Sequence, residues 1–265
     1  MIKLISLDLD GTALNPEGRL SPAVKEAAAK ARRAGVRVVF NTGRPAPEAL
    51  AFVREAETDC LVSVLGGAAV VDCATGRTLR RWDVEQPWGT KVLEACLGRG
   101  LGLMVFAGEK ILVEPEYKAL LERVYPYPEF HNAATVTADI LGYMEAHGLP
   151  LTKVHGEGKP ERFPLKELSA LQGITLTSSS AHDFEVVGAG VDKGRTLALI
   201  ADMYGIPLEQ CAAVGDSDND LAALQAAGLA IAMGNSPQNV KKAAIRIAPP
   251  NSEDGAAWAI LSCLK

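Results

Sequence analysis

Apolar residues dominate positions 2–7 and then give way to Asp8-Leu9-Asp10-Gly11-Thr12. A short apolar run of this kind predicts a buried strand. Ser21-Pro22 follows as a helix start, with Ser as N-cap and Pro at the first helical position. An alanine-rich amphipathic stretch runs from there to Arg33, and Gly35 stops it. VRVVF (36–40) predicts the next strand, Pro47 to Glu55 a second helix, and LVSVL (61–65) a third strand. Strand, helix, strand, helix, strand is the pattern of a parallel sheet with helices on its faces.

The last third repeats the rhythm. A helix is predicted over Gly194–Tyr204, a strand over AAV (212–214) and a short helix over Asp220–Ala227. Then come the strand LAIAM (229–233), a helix over Pro237–Ala244, the strand IRIA (245–248) and a closing helix around Ala256–Leu264. Between about Asp83 and Asp183 the pattern changes. Helices near Thr90–Leu97, Glu116–Val124 and Thr137–Ala146 mix with strands GLMVFA, KILVE and ITLTSSS, and no βαβ rhythm is sustained. The chain therefore predicts an α/β fold. Its core is a doubly wound, Rossmann-like parallel sheet from residues 1–82 and 187–265, and an α+β domain over 83–186 is inserted into it.

Composition narrows the class. The 265 residues are 48% hydrophobic and 22% charged, as in an ordinary soluble globular protein. The net charge of −5 gives no basic footprint for nucleic acid or an anionic membrane. No apolar run reaches bilayer-spanning length, and MIKLISLDLD reads as a first strand rather than a secretory signal. Cys60, Cys73, Cys96, Cys211 and Cys263 are odd in number and show no C-x-x-C spacing, so they read as small core residues in a reducing, cytoplasmic compartment. The four histidines show no ligand spacing.

Polar clusters close three of the predicted strands. Asp8, Asp10 and Thr12 follow the first, Asn41-Thr42-Gly43-Arg44 the second, and Gly215 to Asp220 (GDSDND) follows AAV. Ligands of open parallel sheets bind outside the carboxyl ends of the strands, so the three clusters can share one crevice. Asp192-Lys193-Gly194 opens a helix between the two domains and is a fourth candidate. Carboxylates from Asp8, Asp10, Asp216, Asp218 and Asp220 repel unless neutralised, and an oxygen-only set suits Mg2+. Thr42, Lys193 and the amides near Gly43 and Gly11 supply donors for phosphate oxygens. The residues thus point to phosphoryl transfer with an aspartate available as nucleophile.

D-x-D-G-T after the first strand, T-G-R after the second, a Lys-Gly, then G-D-x-x-N-D resembles the haloacid dehalogenase (HAD) superfamily. The long insertion resembles that of its large-cap, sugar-phosphatase-like branch, with residues 83–186 as the cap. The resemblance covers the whole chain in order. It implies that Asp8 is the nucleophile that forms an aspartyl-phosphate. Asp10 would protonate the leaving oxygen and then activate water. Thr42 and the Gly43 amide would hold the phosphoryl group, and Lys193 would offset charge on Asp8 and phosphate. Asp216 would ligate Mg2+ with the Asp8 carboxylate and the Asp10 carbonyl. Asn219 would reach the phosphate, and Asp220 would orient Lys193 or metal-bound water. The implied activity is a Mg2+-dependent phosphatase acting on small phosphomonoesters, sugar phosphates first. A phosphotransferase or phosphomutase of the same fold is the alternative, as is a silent phosphate-ester-binding module. The partner is a small phosphorylated metabolite, with no nucleic acid and no membrane; the oligomeric state is open.

In one place the chain departs from the family pattern. Gly66-Gly67-Ala68 stands where relatives often carry Asn-Gly-Ala, which removes a side-chain hydrogen bond near the site's rim. Arg44 has two readings, a substrate or phosphate contact and a structural ion pair. Asp218 reads as a loop carboxylate and Asp192 as an N-cap. His131, His155, Lys159, Arg162 and His182 read as surface positions, and Trp82, Trp88 and Trp258 as core or interface packing.

Overall fold

The computed structural model describes residues 1–264. Its first elements are β1 (Leu4–Leu7), α1 (Pro22–Arg33), β2 (Arg37–Phe40), α2 (Ala46–Ala56), β3 (Leu61–Val64), β4 (Ala69–Asp72) and β5 (Arg77–Arg81). Then come α3 (Trp88–Cys96), β6 (Gly102–Ala107), β7 (Lys110–Val113), α4 (Pro115–Val124), α5 (Pro128–Ala133), β8 (Ala134–Val136) and α6 (Ile140–Ala146). These are followed by β9 (Leu151–Glu157), α7 (Leu165–Ser169), β10 (Ile174–Thr177) and β11 (Asp183–Gly188). The last elements are α8 (Lys193–Met203), β12 (Cys211–Gly215), α9 (Leu221–Ala226), β13 (Leu229–Ala232), α10 (Gln238–Ala243), β14 (Arg246–Ile247) and α11 (Gly255–Ser262). Two compact units result: Met1–Arg80 with Asp192–Lys265, and Arg81–Val191.

The first unit is built on a five-stranded parallel sheet of order β14-β13-β12-β1-β2. The chain progresses outward from β1 to β2, and in the opposite sense from β12 to β13 and β14. Right-handed crossovers then place α1 and the α9–α10 pair on opposite faces. β1 is apolar and wholly buried because both of its faces are covered. The ends of the central strands are level: Leu7 lies abreast of Phe40 on one side and Val214 on the other. The next residues, Asp8, Asn41 and Gly215, therefore emerge together. Ser21 caps α1 by accepting from the Val24 amide at 3.2 Å, as its sequence predicts.

The third strand differs from its expectation. β3 meets β2 through a parallel bridge between Asn41 and Ser63, and its ladder is the antiparallel one with β4, in a separate sheet of order β3-β4-β5. Leu65 and Gly66 cause the turn, with left-handed φ values of 57° and 70°. Glycine at position 66 adopts that conformation without penalty, and asparagine is among the few other residues that tolerate it. The Gly66 amide donates to the Thr42 carbonyl at 3.0 Å, so the backbone, not a side chain, ties this turn to the second strand's loop.

The second unit holds a six-stranded sheet of order β10-β11-β9-β6-β7-β8, antiparallel except for the β7–β8 pair. One sheet face carries Leu103, Val105, Val154, Phe184 and Val186, which bury against Val92, Leu93, Met144 and Leu168 from the helices. α6 starts at Ile140 rather than Thr137, because Ala134–Val136 pairs as β8 and Asp139 accepts from the Gly142 amide as an N-cap. Among the described residues no helix is long and apolar enough to cross a membrane. The cysteines are all free. Cys96, Cys211 and Cys263 are buried, whereas Cys60 is exposed and Cys73 half-buried. Trp258 is 42% exposed and so is not a core residue.

Candidate active site

The loop after β1 forms a wide turn in which the Ala13 amide donates to Asp8 and the Leu14 amide to Leu9. Gly11 gives the turn its shape at φ 72°. A Cβ on Gly11 would stand 2.3 Å from Asp216 Oδ2, so only glycine lets these two loops approach. Thr12 Oγ1 donates to Asp216 Oδ1 at 2.8 Å, which joins residues 204 positions apart.

Lys193, the first residue of α8, is 1% exposed and sits between two carboxylates. Its Nζ donates to Asp8 Oδ1 and to Asp220 Oδ1, each at 2.7 Å. Asp220 is itself fixed, since its Oδ2 accepts from the amides of Asp216 and Ser217 at 2.9 and 3.0 Å. Asn41 donates to the Lys193 carbonyl at 2.8 Å and so holds the start of α8 against the second strand. Asp192 caps that helix by accepting from the Arg195 amide at 2.7 Å.

Charge follows burial here. Removal from water pushes the Asp8 carboxyl well above the usual range, with Asp220 and Asp216 adding to the rise and Lys193 opposing it. Burial and the neighbouring Asp220 push Asp216 up to about 7. For Lys193 burial works against the charge, but Asp220 and Asp8 outweigh it and hold the ammonium protonated.

Carboxylate oxygens of Asp8, Asp216 and Asp220 lie within 4.8 Å of one another. Three carboxylates against the single Lys193 ammonium leave two negative charges, which one divalent cation offsets. The donor set is all oxygen and fits a hard cation. Asp220 is the poorest ligand of the three, because both of its oxygens already accept hydrogen bonds.

The other predicted residues fall around this centre. Thr42 is fully buried, and its Oγ1 accepts from the Arg44 amide at 3.1 Å instead of capping α2. Gly43 lies between them on the same loop. Asn219 is half-buried, and its Oδ1 accepts from Ser217 Oγ at 3.0 Å. Asp218 is an exposed loop carboxylate that accepts from Asn239. Arg44 is an ion-pair partner: its Nε and Nη2 donate to the two oxygens of Asp10, each at 2.7 Å. Asn235, which the sequence reading passed over, donates to the Gly11 carbonyl at 2.8 Å. It stands just beyond the end of β13, so the strand-end rule that found the other clusters applied to it too. In the inserted unit His131, Lys159, Arg162 and His182 lie outside the buried core, but His155 does not fit a surface reading. Its ring is 16% exposed and contacts Glu157 and Glu185 at 3.2 and 3.4 Å.

A parallel sheet that reverses its winding above a cluster of aspartates and one buried lysine defines a hydrolase of the HAD type. The family model for haloacid dehalogenase-like hydrolases matches residues 5–260, and the chain belongs to that family. It is 28% identical over 279 residues to Phosphatase YwpJ of Bacillus subtilis (strain 168), covering 97% of this chain and 98% of that protein. It is also 28% identical over 281 residues to the 5-amino-6-(5-phospho-D-ribitylamino)uracil phosphatase YwtE of the same organism, covering 98% and 97%. Among solved structures, a haloacid dehalogenase-like hydrolase from B. subtilis superposes with a TM-score of 0.87 at 26% identity, over 98% of this chain and 99% of that one.

Proposed function

We propose that this protein is a Mg2+-dependent phosphatase of small phosphomonoesters, with sugar phosphates as its first substrate class, and that turnover passes through an aspartyl-phosphate on Asp8. The observation that carries the reading is the buried Asp8 carboxylate, oriented through Oδ1 by Lys193 at 2.7 Å. With Oδ1 held, Oδ2 attacks phosphorus, the P–O bond to the leaving alcohol breaks, and Asp10 gives that oxygen its proton. Asp10 then takes a proton from water, whose oxygen attacks phosphorus and releases phosphate and Asp8. Thr42, the Gly43 amide and Asn219 hold the phosphoryl oxygens, and Lys193 offsets their charge through both steps. Asp8, Asp216 and the Asp10 carbonyl would hold Mg2+, which supplies charge neutralisation at the phosphoryl group. Residues 83–186 serve as the cap domain, and the free cysteines suit a cytoplasmic setting.

The name of one relative supports the substrate class, since YwtE is named for a uracil whose ribityl chain carries the phosphate ester. The test is phosphate release from sugar phosphates, polyol phosphates, nucleotides and an aryl phosphate, with Mg2+ and with chelator. Mg2+-dependent release that falls by at least about a thousandfold in Asp8→Asn is expected, because no second nucleophile replaces Asp8. Release that persists in Asp8→Asn would remove the covalent mechanism. Transfer to an added alcohol in preference to water would favour the phosphotransferase reading.

A further inference from the structure

Arg44 lies just before α2, and Glu48 and Phe52 follow it at four-residue intervals on that helix. Residues so spaced share one face. The Arg44 guanidinium, 8% exposed, gives Nη1 to Glu48 Oε2 at 2.6 Å, while Nε and Nη2 serve the two oxygens of Asp10. The Phe52 ring lies under it, 5.3 Å from the guanidinium carbon. The Glu48 side chain is 0% exposed, whereas that of Asp10 is 56% exposed. One arginine therefore couples a fully buried carboxylate to an open one.

A buried glutamate is an expensive way to fill space, and an apolar residue on this helix face would pack at least as well. What Glu48 supplies is direction. A guanidinium is planar, and pinning Nη1 in the interior fixes the plane in which Nε and Nη2 point outward. An aspartate more than half in water has little else to set its torsions, and a general acid must be placed within a fraction of an ångström. We infer that Glu48 is a positioning residue for catalysis: through Arg44 it holds the Asp10 carboxylate in one orientation. The inference rests on the acid/base role proposed for Asp10. The clamp is compatible with that role, because each carboxylate oxygen has two lone pairs and Arg44 takes one on each. The second pair remains for the proton that Asp10 delivers and recovers.

The experiment compares two esters on the full-length enzyme with Mg2+, an alkyl phosphate and p-nitrophenyl phosphate. An alkoxide needs a proton as it leaves and nitrophenolate does not, so only the alkyl ester reports on the placement of the acid. Glu48→Gln is expected to lower kcat/KM, which ends at the first phosphoryl transfer and so leaves out the water-activation step common to both esters, at least tenfold for the alkyl ester and less than threefold for the aryl ester. Arg44→Lys, which keeps the charge and loses the fork, should show the same selectivity. In the Asp10→Asn background Glu48→Gln should add nothing. Equal losses of kcat/KM on both esters in a folded Glu48→Gln protein, or a further loss on top of Asp10→Asn, overturn the inference. If Glu48→Gln does not fold, Glu48→Met is read in its place, and failure of both to fold makes Glu48 structural and the inference wrong. If Asp10→Asn itself lowers kcat/KM equally for both esters, the acid role fails first and takes the inference with it. A selective Asp10→Asn beside an unselective Glu48→Gln sinks the inference alone.

Discussion

At the scale of single residues the site is a problem of charge in a dry place. Lys193 is the sole cation bonded to Asp8 and Asp220 among the described ion pairs, and both partners are buried. Lys193→Met would strand those carboxylates, and losing one partner of a buried pair costs about 3–5 kcal/mol. The cost should be largest above the titration of Asp216 near pH 7 and smaller at pH 5, where that carboxyl takes up a proton. Chemical denaturation of wild type and Lys193→Met at pH 5 and pH 8 measures the difference. An equal loss at both values would mean that the protonation of Asp216 does not bear on the cost. Gly11→Ala tests the geometry instead. Its Cβ meets the Asp216 carboxylate, and alanine resists the left-handed φ, so the two loops must separate. A loss of at least about tenfold in Mg2+-dependent activity is expected, with about 1–2 kcal/mol of stability. Residues such as Asp8, Asp216 and Lys193 were legible because each closes a strand or opens a helix in a fixed order. Glu48 was not. A glutamate in the first turn of a helix is ordinary in sequence, and only the fold shows that its face is turned inward.

At the scale of elements, the parallel strands were legible from their apolar runs, and the inserted sheet only in part. β9 and β11 were missed because Lys153, His155 and Glu185 interrupt what would be apolar positions. The structure keeps them on the sheet by pairing them: Lys153 Nζ donates to Glu185 Oε1 at 2.6 Å, and His155 joins Glu185 and Glu157. Burial disfavours the charged imidazole, but hydrogen bonds to Glu157 and Glu185 outweigh both burial and Lys153 and raise His155 to about 9. The folded value lies above the unfolded one near 6.5. The stabilisation is therefore complete below about pH 6.5 and lost as pH rises through about 9, on the order of 3 kcal/mol in all. Thermal unfolding between pH 6 and pH 9.5 should fall by a few degrees more in wild type than in His155→Gln. Parallel curves for the two proteins would show that this strand's network does not hold a proton.

At the scale of the whole chain, the cluster at residues 8, 216 and 220 links folding to a cation. Mg2+ at a hundredfold its dissociation constant should raise stability by about 2.7 kcal/mol, read as a higher Tm that chelator reverses. Asp216→Asn should abolish the shift. A shift that survives that change would place the ion elsewhere. The topology that builds the cluster also has a cost in time. β1 is made first and pairs with β2 soon after, but its other edge waits for β12, more than 200 residues later. Protein synthesis at about 5–20 residues per second leaves that edge open for about 10–40 s. Through that interval Leu4–Leu7 is an unpaired apolar edge, the feature that recruits other chains. The strand that ends at Asp8 is thus a long-standing aggregation hazard of the nascent chain. A chain stopped at residue 210 should sediment where the full chain stays in solution, and the earliest demand on a chaperone falls at the root of the site.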